Sequence, residues 1–302
     1  AKSRNVVDPH VLTDSVRGVQ KTLMSNDTAV EYADSTGLTA FGSDGFTIGT
    51  ASRWNGNTRT YVAWNWKAGG SAVSNTNGTI TSQVSANPSA GFSIVTYTGN
   101  GTAGATVGHG LSSVPTLVIA KSRTVSGKHW ATYVESLGNT VRIDLESSGA
   151  KITGTGAWNS TTPTSSLVTI GSQSDVNTSG AGQLMYCFHS VDGYSKVGSY
   201  DGNLNDDGTF VYCGFKPAWV MIKRTENADH WLIWDAKRNT FNVMDTVLKA
   251  NDTSADNSDT AYRIDATSNG FKLRDDFGGI NASETYIFLA FAESPFKHSN
   301  AR

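Results

Sequence analysis

Three histidines recur in this chain, each behind a lysine at nearly constant spacing: Lys2 and His10, Lys121 and His129, Lys223 and His230. Imidazole is the commonest metal ligand and titrates near neutrality, so metal binding and proton transfer are the chemistries to test first. The local pattern supports neither. No second His or Cys lies two or four residues further along, and a zinc site would have to gather single ligands from three distant stretches. The next residues are apolar: Val11, Trp130 and Trp231. The spacing therefore predicts histidines that anchor strands by hydrogen bonds.

Other reactive sets are weighed in the same way. Glycoside hydrolysis needs paired carboxylates, whereas Glu135, Glu146, Glu226 and Glu293 are isolated and read as groups on solvated faces. His109 sits in a Gly-His-Gly turn, and no Gly-x-Ser-x-Gly elbow accompanies it. In SYDGNLNDDGTF, the oxygens of Asp201, Asn203, Asn205 and Asp207 alternate as in a calcium loop. That loop lacks the glycine at the sixth position and the glutamate at the twelfth, so a hairpin turn built on Asn, Asp and Gly accounts for it better. No phosphate-cradling loop or dinucleotide fingerprint occurs, and no cofactor is expected. Trp54–Asn55 and Trp158–Asn159 stand in polar, amide-rich loops, where an exposed ring beside amides offers a glycan both a flat apolar platform and hydrogen bonds. Cys187 and Cys213 are too few for a disulfide scaffold and are expected as free thiols.

The elements that would position these residues are β-strands. Short runs of Val, Ile, Thr, Tyr and Phe alternate with Gly, Asn, Asp and Ser clusters, the pattern of an antiparallel sandwich. With 24 basic and 26 acidic residues in 302, the chain carries no basic excess to attract nucleic acid. No apolar run approaches the roughly 20 residues that cross a bilayer.

Internal repetition organises the rest. A shift of 225 residues carries LMSNDTAVE onto LKANDTSAD, SDGFTIG onto SNGFKLR and YVAWNW onto YIFLAF. A more divergent middle stretch matches the first at a shift of 122, and GFSIVTYTGNG precedes GYSKVGSYDGN by 102. The expectation is all-β: three tandem jelly-roll-like sandwiches over 1–69, 91–192 and 193–302, with a polar linker at 70–90 and a short tail beyond 296. Phe46, Ile170 and Phe271 should be equivalent, as should Trp66, Phe188 and Phe291. Ala1 matches Ala120, so the first unit lacks the entry strands of the other two. The edge around Tyr61–Trp66 is therefore expected to be completed by upstream residues or by a neighbouring subunit.

At YVAWNWKAGG, GFSIVTYTGNG, TVGHGLSSVP, FVYCGFKPAWVMIKR, SNGFKLR and YIFLAFAESPF, the chain resembles a repeat family of marine bacteriophage tail-fibre and virion structural proteins with concanavalin-like or SPRY-like sandwiches. The resemblance implies a non-enzymatic, adhesive component of an extracellular virion appendage that contacts a host surface glycan or receptor. It also implies other virion proteins as partners, and a homo-oligomer that is trimeric if a fibre. The alternatives are a glycan-cleaving depolymerase with a site between modules or subunits, and a capsid decoration protein. No catalytic residue is carried over.

Overall fold

The computed structural model describes residues 1–294; Pro295, Phe296 and the tail after them lie outside the described residues. The chain is almost entirely antiparallel β-sheet, in the sandwich arrangement expected of it.

In the third segment, strands run in the order Ser195–Asp201, Thr285–Ala292, Pro217–Arg224, Trp231–Asp235, Thr246–Lys249 and Asn257–Ser258. A smaller sheet of Phe210–Tyr212, Gly270–Leu273 and Ile264–Thr267 covers one face. The second segment follows the same order with Phe92–Thr98, Gly182–Phe188, Leu117–Ser122, Ala131–Val134, Val141–Asp144 and Ile152–Thr153. Its cover is Ala105–Gly108 paired with Leu167–Ile170. The first segment is sparser: Lys2–Ser3 pairs with Tyr61–Val62, Val11–Leu12, Lys21–Met24 and Tyr32–Ala33 form a small sheet, and Leu38–Phe41 pairs with Phe46–Ile48. The 225-residue offset holds in the pairing itself. Lys21 faces Ala33 as Thr246 faces Ser258, and Phe41 faces Phe46 as Ala266 faces Phe271.

The closing strands explain why their sequences are apolar without interruption. In Thr285–Ala292, Tyr286, Phe288 and Ala290 point into the sandwich of the third segment, while Ile287, Leu289 and Phe291 point into a second core on the other side. Gly182–Phe188 divides likewise, Met185 and Cys187 to its sandwich and Leu184 and Phe188 outward. A strand buried on both faces needs no polar alternation. The second core is common to all three segments. At its centre Trp66, Phe188 and Phe291 meet, with ring centroids 6.5, 5.6 and 6.2 Å apart, mostly edge to face.

Residues 70–90 differ from expectation. They hold Val73–Asn75 and Ser82–Asn87, which extend the large sheet of the second segment beyond Phe92–Thr98. Composition misleads here because strands can be held by their backbone ladder while Ser, Asn and Gln decorate them. Ser82 and Val84 are nevertheless buried, and the Ser82 hydroxyl donates to the Gly108 carbonyl at 2.9 Å.

Cys187 and Cys213 are free and buried in different cores. Burial pushes both thiols up to about 12. Native protein should therefore resist alkylation at pH 8 and take up two adducts only after unfolding. A two-dalton mass change on reduction would contradict this assignment.

Candidate functional site

The recurrent lysines and histidines lie at the seams between segments. All three lysine side chains are fully buried. The Lys121 ammonium donates to the carbonyls of Lys128 and Thr28, and that of Lys223 to Arg224 and Ser148, so each ties its own segment to the preceding one. Lys2 donates to Ser3 and Val6. Backbone bonds repeat the pattern around a closed circuit. Arg123 accepts from the Glu31 N–H, Thr225 from Lys151 and Arg4 from Asp256, at 2.8, 2.8 and 2.7 Å. A second set joins Gly127 to Thr28, Asp229 to Ser148 and Asp8 to Thr253. The last member of each set links the first segment to the third, which closes the ring. Arg123–Glu31, Arg4–Asp256 and Lys151–Glu226 add an ion pair at each seam.

Burial lowers the Lys121 and Lys223 ammonium groups to about 8, against the nearby carboxylates of Glu146 and Asp229 respectively, and lowers Lys2 as well. Between pH 8 and 10.5 the unfolded chain then holds more protons on these lysines than the folded chain does. Stability should rise with pH across that window. Denaturation at pH 7.5 and 10 checks it: a Lys121→Met/Lys223→Met variant should show a flatter pH dependence than the unaltered chain.

Two of the three histidines anchor strands through their rings, His129 to Glu146 and His230 to Asn251, whereas the His10 ring is buried with its Nε2 unpaired among the described residues. Asn26 accepts from the His10 N–H at 3.0 Å, and Asn251 accepts from the Trp231 N–H at 2.9 Å. Glu146 takes the same place in the second segment, accepting from the Trp130 N–H at 2.9 Å and bonding His129 Nδ1. Glu146 is thus not on a solvated face, since its side chain is only 6% exposed. Burial, then Lys2 and the α-amino group, lower His10 to about 3, so its ring stays neutral beside Trp64. Donor atoms of His129, Asp144 and Glu146 lie within 4.8 Å of one another, a set the sequence reading missed. The Arg142 guanidinium, 3.4 Å from Asp144 and 2.6 Å from Asp175, already supplies positive charge there. Burial raises the Asp144 carboxyl to about 6 despite Arg142. Of the other glutamates, Glu135 is exposed, Glu226 pairs with Lys151 and Glu293 with Lys216. His109 is buried, contacts the Thr164 carbonyl at 3.1 Å and accepts from the Leu111 N–H.

A second seam device was legible only as a recurring Asp-x-x-Arg at 14–17 and 235–238. Arg17 is buried between Asp14 at 2.5 Å and Glu31 at 3.0 Å, and the Tyr186 hydroxyl from the second segment donates to Asp14. Arg238 pairs with Asp235, which accepts from the Trp64 indole of the first segment at 3.2 Å.

The two loop tryptophans are not platforms. Trp54 is 4% exposed and packs with Val11 and Leu38; Trp158 is 1% exposed and lies edge-on to Tyr133. Asn159 is a left-handed turn residue (φ 51°), and Asn55 is exposed. In the Asp201–Asp207 loop, Asp201 accepts from Thr285, Asn203 from the Asn205 N–H and Asn205 from the Asp207 N–H, while Asp207 pairs with Lys272 at 2.8 Å. Those oxygens shape a turn, but not a hairpin: Ser195–Asp201 pairs with Thr285–Ala292 and Phe210–Tyr212 with Gly270–Leu273, so the loop crosses from one sheet to the other.

A cavity of about 730 Å³ lies between the first segment and the shared core. Phe41, Phe46, Trp54, Trp64, Trp66 and Phe188 are among the residues that line it. Phe46 is 36% exposed, whereas Ile170 and Phe271 at the matching positions are fully buried. No curated protein and no solved structure matches the chain. A family model matches residues 1–295, and by it the chain belongs to the family described as Domain of unknown function (DUF7483).

Proposed function

We propose that the chain is a non-enzymatic structural component of a phage virion appendage, a tail fibre or spike. The observation that carries this reading is the use made of the recurrent polar residues. The Lys121 and Lys223 ammonium groups and the indole N–H groups of Trp130 and Trp231 are spent on hydrogen bonds between segments, where they hold a closed ring. Catalytic groups need access to a substrate and a pKa matched to their task, and these groups are buried in backbone contacts. Host contact would then come from many weak interactions multiplied by copy number. Trimerisation of the appendage and attachment to other virion proteins belong to the same reading.

Labelled antibody against this chain, imaged on intact particles, tests it. Label at the tail appendages is the expected result. Label confined to the capsid lattice would favour a decoration protein, and turnover of a host polysaccharide by the purified chain would favour a depolymerase.

A further inference from the structure

We propose that the open side of the first segment is a docking groove for one strand–turn–strand segment, supplied by the same polypeptide and running into Ala1. The occupant's chemistry is shown by the two places where an equivalent groove is filled. Phe92–Thr98 pairs with Gly182–Phe188 along seven residues, and Ser195–Asp201 pairs with Thr285–Ala292 along seven. Among the described residues, the matching stretch of the first segment forms a strand only at Tyr61–Val62, and its single partner is Lys2–Ser3. The cover sheet lacks the same partner. Leu167–Ile170 is paired by Ala105–Gly108 and Gly270–Leu273 by Phe210–Tyr212, while among the described residues Phe46–Ile48 has only Leu38–Phe41. Two open edges thus flank one apolar cavity, the arrangement in which an added strand gains both a ladder and a core.

A polar residue independently marks where the turn of that segment would sit. Asn177 and Asn281 are fully buried. Asn177 accepts from the Asn100 and Gly101 N–H groups and donates to the Thr102 carbonyl; Asn281 accepts from the Asn203 N–H and donates to the Asn205 carbonyl. Each also donates to a carbonyl six residues upstream, that of Gly171 or Asp275. Asn55 occupies the same place in its short helix. It makes that upstream bond, to the Gly49 carbonyl at 3.2 Å, and among the described residues its side chain reaches nothing else. The carboxamide that clamps the entry turn is present without the turn. Tyr97 and Tyr200 donate to the carbonyls of Val176 and Ile280 at 2.6 and 2.8 Å, so the segment should carry a tyrosine aimed at the Trp54 carbonyl. In the filled segments the second entry strand leads on to Leu117–Ser122 or Pro217–Arg224, the strands that Lys2–Ser3 matches, which directs the exit of the occupant to Ala1.

Residues 91–119 of this chain, joined directly ahead of Ala1, serve as the probe. Amide exchange at Tyr61–Trp66 and Phe46–Ile48 should slow roughly tenfold or more relative to the unaltered chain, because those groups gain ladder partners. Asn55→Ala should leave exchange in the unaltered chain nearly unchanged and reverse much of the slowing in the extended one. An extended chain with Ile94, Val95 and Tyr97 of the added segment replaced by serine controls for mere extension. Unchanged exchange in the extended chain, or equal slowing with the serine control, overturns the proposal. So does self-association of the unaltered chain that protects Tyr61–Trp66, since the occupant would then be a second copy. None of these outcomes depends on a role in the virion.

Discussion

Trp130→Ala is expected to lower the stability of the chain by about 4 kcal/mol, the range measured when a large buried aromatic is truncated in a core that cannot collapse. Trp130 is fully buried in the core shared by all three segments. Its indole N–H also donates across a seam to the Met24 carbonyl at 2.9 Å. Truncation therefore opens a void in the common core and strands a carbonyl of the neighbouring segment. Trp130→Phe separates the two effects. It keeps most of the packing and should cost about 1–3 kcal/mol, the penalty for an unsatisfied buried acceptor. Urea denaturation of both variants reads these differences. Because the core is common, the loss should appear at probes in the first and third segments as well as the second. A loss confined to the second segment would mean that the segments unfold independently.

Arg17→Met should cost about 3 kcal/mol or more at neutral pH, since it removes one member of a buried charged set and leaves the other uncompensated. The Arg17 side chain is wholly buried against Asp14, whose own side chain is 5% exposed. Glu31 retains Arg123 at 2.9 Å, so the orphaned charge is that of Asp14. A double variant, Asp14→Asn/Arg17→Met, removes the stranded charge as well and should recover part of the loss in urea denaturation. No recovery would mean that Arg17 acts through its methylene packing rather than its charge.

Much of the architecture is written locally. Turn clusters and short β-branched runs mark the strands, and a constant 225-residue offset ties Lys21 to Thr246 and Phe46 to Phe271, as their pairing partners confirm. The free thiols and the turn at Asp201–Asp207 were likewise legible, because lone cysteines and Asn/Asp/Gly runs carry their own chemistry. What crosses between segments was not. Periodicity says that Phe291 and Phe188 face a core, but their partner Trp66 lies in another segment, and nothing in a strand's own pattern names a non-local partner. The same limit hid the role of the recurrent lysines, whose acceptors are backbone carbonyls and so leave no side-chain signature. Trp54 and Trp158 read as exposed because their neighbours are polar. Burial of a loop indole is decided instead by the tertiary packing. For 70–90 the balance was reversed: small polar residues suggested a linker, and the unpaired edge of Phe92–Thr98 drew them into the sheet.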